Sequence, residues 1–155
     1  MIITKIVWFK QQKRNNFVIK IIFALLSVNI INQVKYNNMS YDLNFWKYKA
    51  NVYLDNQNVY EALSNERIVE GLEDIPVHEI RKKIAEAFSD WDKVDDDSFE
   101  MATKGAFQIM TTPQFVRIDC YGMEGEDMNK FIDILDEYDC PLYDPQVGER
   151  FDNHE

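Results

Sequence analysis

Few residues in this 155-residue chain have the type and spacing that chemistry demands. Cys120 is a candidate nucleophile with Asp119 beside it, and either one would suit a small hydrolase. A thiol attacks as thiolate, so it needs a neighbouring base or cation to lower its pKa. The sequence around it offers Arg117 against Asp119, Glu124, Glu126 and Asp127, and those acids keep the proton on sulfur. His78 and His154 stand apart, without a second histidine at metal-ligand spacing. Asp95-Asp96-Asp97 lacks the alternating ligands and the glycine of a calcium loop and reads as a solvated turn. Gly122-Met123-Glu124-Gly125 has the spacing of a turn, and its acidic neighbours would repel phosphate. The expectation is no catalytic residue, no metal and no cofactor.

The elements that must carry these residues are clearer. Phe115 to Tyr121 alternates as a strand and runs into the Gly122–Gly125 turn. Met128, Phe131, Ile132, Leu135 and Tyr138 then recur at helical spacing until Cys140-Pro141 ends the run. A second helix follows Pro76, with Val77, Ile80, Ile84, Ala87, Phe88 and Trp91 as its apolar stripe. A shorter one, centred on Val59–Leu63, has Asp55-Asn56 as its caps. Tyr41 to Lys49 reads as the first strand; Phe99–Thr103 and Ala106–Thr111 form a hairpin around Lys104-Gly105. Pro141-Leu142-Tyr143 suits a short edge strand, and the polar stretch from Gln146 a fraying tail. The order β-α-α-β-β-β-α-β predicts an α+β fold: a mostly antiparallel sheet with its helices on one face, a ferredoxin-like variant.

Composition separates the first 38 residues from the rest. Of 17 Lys and Arg, six (Lys5, Lys10, Lys13, Arg14, Lys20, Lys35) precede Met39, whereas all 27 Asp and Glu follow it. The apolar run Phe17–Ile31 is interrupted by Lys20, Ser27 and Asn29, too short and broken for a span of about 20 apolar residues. Three readings suit residues 1–38: an upstream extension with translation starting at Met39, a signal peptide or weak anchor, or a helix packed on the domain. The abrupt change at Met39-Ser40 favours the first, leaving one acidic domain over 39–151 and a tail at 152–155. Two cysteines without a CxxC pair suit free thiols of a reducing, cytoplasmic compartment; a Cys120–Cys140 bridge requires close approach of a strand and a helix end.

With helices on one side, the other side of the sheet is left for a partner. It would carry Asp42, Asn44, Trp46 and Tyr48 from the first strand and Phe115, Arg117, Asp119 and Tyr121 from the central one. Rings mixed with charges are the composition of a recognition surface, although an Arg117–Asp119 surface pair is by itself worth under about 1 kcal/mol. With net charge −16 from Met39 onward, the chain lacks the basic stripe that phosphate contacts demand; this disfavours nucleic acid as a partner and favours a basic protein.

Tyr41-Asp42-Leu43-Asn44-Phe45-Trp46-Lys47, Val69-Glu70-Gly71-Leu72-Glu73, Thr111-Thr112-Pro113-Gln114-Phe115-Val116-Arg117 and Cys140-Pro141-Leu142-Tyr143-Asp144-Pro145-Gln146 resemble stretches of a family of small uncharacterised bacterial proteins. The resemblance spans about Met39 to Phe151 and implies no activity. In size, acidity and α+β make-up the chain is also similar to immunity proteins of bacterial toxin systems. That likeness implies a cytoplasmic binding protein masking a basic partner such as a toxin, with Trp46, Tyr48, Phe115 and Tyr121 as anchors and Asp42, Asp119 and Glu124 as charges. A small hydrolase using Cys120 or Asp119 and an accessory structural subunit are the alternatives.

Overall fold

A computed structural model describes residues 40–152. The expectations for residues 1–38, for Met39 as a start and for His154 lie outside the described residues.

The chain opens with β1 (Ser40–Phe45). Asp55 then accepts a hydrogen bond from the Asn58 amide at 2.9 Å and so caps α1 (Asn56–Ser64). Pro76, whose missing N–H is no loss at a helix start, leads into α2 (Val77–Ala87). Two short strands follow, β2 (Asp92–Lys93) and β3 (Ser98–Met101), then the long β4 (Gly105–Thr112) and β5 (Phe115–Tyr121). Helix α3 (Gly125–Asp136) returns the chain to β6 (Leu142–Asp144) and β7 (Glu149–Arg150). All seven strands form one antiparallel sheet in the order β2-β3-β4-β5-β1-β6-β7. The β3–β4 hairpin closes on Gly105 at φ +105°, where an added Cβ would lie 2.3 Å from the Tyr121 carbonyl oxygen; only glycine fits there.

An α+β fold with an antiparallel sheet is thus present, with four differences from the sequence-based expectation. β1 stops at Phe45 because Trp46 turns into a second core, after which Lys47 and Lys49 bond to Glu73 and Gly71. β2 and β7 are additional strands, and β7 holds part of the tail that was expected to fray. β6 is not the edge, since β7 covers it. Most consequentially, the helices do not share one side.

One face of the sheet carries Leu43, Phe45, Phe107, Ile109, Val116, Ile118 and Cys120 beneath α2 and α3, which contribute Ile80, Ile84, Phe131, Ile134 and Leu135. Phe88, just past α2, stacks on Phe131 with ring centroids 4.6 Å apart and meets Phe107 at 4.7 Å, so aromatic packing fixes the helices to the sheet. The opposite face has its own smaller core of Trp46, Val59, Leu63, Leu72, Phe115 and Tyr143, roofed by α1. Buried Gln114 ties the 69–72 loop to the start of β5, accepting from the Val69 amide at 2.9 Å. Among the described residues no helix is long and apolar enough to cross a membrane.

Candidate functional site

Among the described residues, helix α1 covers only part of its face of the sheet. Cross-strand register shows what is left open. One row runs Asp92, Glu100, Ala106, Tyr121, Ser40; the next runs Ser98, Gln108, Asp119, Asp42. Because register partners point to the same side of a sheet, Asp92, Glu100, Asp119 and Asp42 all stand on this open half, with Tyr121 49% exposed among them. The following row, Met110, Arg117, Asn44, Tyr143, passes under the edge of α1.

Among the described residues, Arg117 is the cation that pairs with these carboxylates. Its Nε donates to Asp119 at 2.6 Å and an Nη to Asp42 at 3.3 Å, so one guanidinium serves two carboxylates that are themselves cross-strand partners. One negative charge is left over. Burial raises the Asp42 pKa, Arg117 pulls it down and Asp119 pushes it up again, and the balance lies above the ordinary 3.8. Asn44, wholly buried beside them, donates to the Asp42 carbonyl at 3.0 Å.

The residues expected to form a docking face therefore divide. Asp42, Arg117, Asp119 and Tyr121 come together on the open half. Trp46 and Phe115, the expected anchors, are 0% exposed and belong to the second core. Alternation put both on the correct side, although Trp46 follows the end of β1; what it could not convey was that α1 lies across that side. Tyr48 is half-buried at another site, donating from its hydroxyl to Asn56 at 2.8 Å. Glu124 is exposed in the turn between β5 and α3.

Cys120 faces the α2/α3 core. Burial, followed by the charges of Asp119 and Asp42, pushes its pKa up to about 12; Cys140 is buried and likewise raised to about 12. Both are free thiols, so the bridge does not form. A thiol so protonated is a poor nucleophile. Neither cysteine should react with iodoacetamide at pH 8 in the folded protein, and both should react once it is unfolded in urea. Rapid labelling of Cys120 in the native state would contradict its placement.

Sequence reasoning missed a groove of ≈ 710 Å³ between the loop 47–54 and β7. Its walls include Lys47, Tyr48, Tyr53, Leu54, Pro141 and Arg150. The Arg150 guanidinium lies 4.7 Å from the Tyr48 ring centroid and 5.4 Å from that of Trp46, and an Nη donates to the Trp46 carbonyl at 2.9 Å. The Asp95–Asp97 turn is held from α2, where Arg81 bonds the Asp96 carbonyl at 2.7 Å and the Asp97 carboxylate. Among the described residues no group of three or more His, Cys, Asp or Glu is placed to hold a metal ion.

No protein-family model, curated protein or solved structure matches this chain.

Proposed function

We propose that this is a small acidic binding protein of the immunity or inhibitor kind, acting in the cytoplasm by masking a basic surface on a protein partner such as a toxin. The observation that carries the reading is the half of the sheet that the described residues leave open, where Asp42, Asp92, Glu100 and Asp119 share one side with exposed Tyr121 and with Arg117. The contacts are assigned to Asp42, Asp119 and Tyr121, with Glu124 at the periphery. A rigid sheet presents these groups without the entropy cost of ordering a loop, and the net charge of −16 from Met39 onward steers a cationic partner towards it.

The strand order β4-β5-β1-β6, with α2 and α3 on one face, supports reading this part as a β-α-β-β-α-β ferredoxin-like unit, widened by β2, β3 and β7. In that reading α1 is an insertion that partly covers the face where the partner docks.

Affinity capture from the native host, run in parallel with wild type and an Asp42→Asn/Asp119→Asn variant of verified fold, tests the assignment. A basic protein should be retained by wild type at low salt, released as salt rises, and bound about tenfold more weakly by the variant. Equal retention by both proteins would overturn it.

A further inference from the structure

We propose that the groove beside β7 is a second binding site, built to take a peptide segment carrying a carboxylate next to an apolar side chain, and that the chain's own Asp152 occupies the carboxylate position in this structure. It is independent of the acidic face: the groove is lined by other residues, of both charges.

Three observations converge. The first is Arg150, whose side chain is 5% exposed, clamped by the Tyr48 and Trp46 rings and the Trp46 carbonyl. A guanidinium carries five N–H donors, and a buried one is costly unless they are used. Here one Nη donates to Asp152, and the Nε has no acceptor among the described residues. The second is the weakness of the present occupant. Asp152 lies two residues further along the chain, past the end of β7, with its side chain 41% exposed, so an outside carboxylate can displace it at little cost. The third is Tyr53, 91% exposed at the groove wall beside Leu54, a ring that folding leaves in water. An exposed tyrosine and a locked arginine lining one groove have the composition of interface anchors.

The rest of the lining narrows the ligand. Lys47 is already paired with Asp139 at 3.1 Å and Glu73 at 3.5 Å, and Asp136 also lines the groove. These acids oppose a phosphate or a polyacidic stretch, but a single carboxylate placed at Arg150 and exposed Lys49 avoids most of that repulsion. The apolar neighbour then lies against Tyr53 and Leu54.

The test uses the isotope-labelled full chain, titrated with acetyl-Leu-Asp-amide and, in parallel, acetyl-Leu-Asn-amide, while the Arg150 Nε–H and Tyr53 amide signals are followed by NMR. The aspartyl peptide should give saturable shifts at both positions, and the asparaginyl peptide should not. Asp152→Asn should tighten the aspartyl peptide about three- to fivefold by removing the internal competitor. Tyr53→Ser, at an exposed position that leaves the fold intact, should weaken it by a similar factor. Equal shifts with both peptides, unchanged affinity in Asp152→Asn, or no shift at millimolar peptide would each overturn the proposal.

Discussion

Trp46→Ala should cost about 4 kcal/mol of folding stability, the range of buried tryptophan truncations. Trp46 is 0% exposed, with Tyr143 at 5.0 Å and Phe115 at 6.4 Å between ring centroids, and it lies under Arg150 as well. Alanine would leave a void bordered by α1 and β6 and strip Arg150 of one of its two rings. For a domain whose total stability is of order 5–15 kcal/mol, that is a large fraction. Urea unfolding of the two proteins measures it, and a loss below about 1 kcal/mol would show that the second core is not assembled as described. Because Trp46 is wholly buried, lost partner binding in this variant would report a disturbed core rather than a missing contact.

The second large effect is expected at Arg117. Arg117→Met keeps the length of the stem but leaves Asp42 and Asp119 facing each other across the strands without a cation. Both carboxylates keep some solvent contact, so the loss at neutral pH is put at about 1–2 kcal/mol, well below that of a fully buried broken pair. Its pH dependence gives the sharper test. In the wild type the Asp42 carboxyl already holds its proton more tightly in the fold than in the unfolded chain, because burial and Asp119 outweigh Arg117. The native state then binds more protons than the unfolded one between the ordinary 3.8 and the raised value, so stability falls as pH rises through that window. Below the ordinary value the penalty is absent. Without Arg117 the window extends to higher pH. Melting temperatures measured between pH 4 and 7 should show the gap between variant and wild type closing towards acid. A gap that stays constant with pH would mean that Arg117 acts through packing alone.

Much of the fold was legible because its long elements are periodic. Val77 to Trp91 has an apolar stripe that only a helix aligns, and from Val116 to Tyr121 the residues alternate up to the Gly122 turn; the expected bounds Phe115–Tyr121 are those observed. The candidate face was half legible. Alternation correctly put Asp42, Arg117, Asp119 and Tyr121 on one side of the sheet, whereas Asp92 and Glu100 join them only through the cross-strand register. Alternation also put Trp46 and Phe115 there, since a two-residue period tells which side chains share a face and nothing about what covers it. The cover is α1, a nine-residue helix with just Val59 and Leu63 buried, too slight a stripe to show which side of the sheet it would take. β2 and β7 have two residues each and no period to detect. The Arg150–Trp46 contact joins residues 104 apart; nothing local marks such a pair.

Masking of a basic partner requires its cationic surface to land on the half of the sheet that the described residues leave uncovered. Amide shift mapping of the isotope-labelled chain with an arginine-rich peptide at low salt tests this most directly. Perturbations should cluster at Asp42, Glu100, Gln108, Asp119 and Tyr121, fade as salt is raised, and disappear in Asp42→Asn/Asp119→Asn. Shifts spread evenly over all acidic surfaces, or centred on the exposed carboxylates of α3 with this face silent, would contradict it.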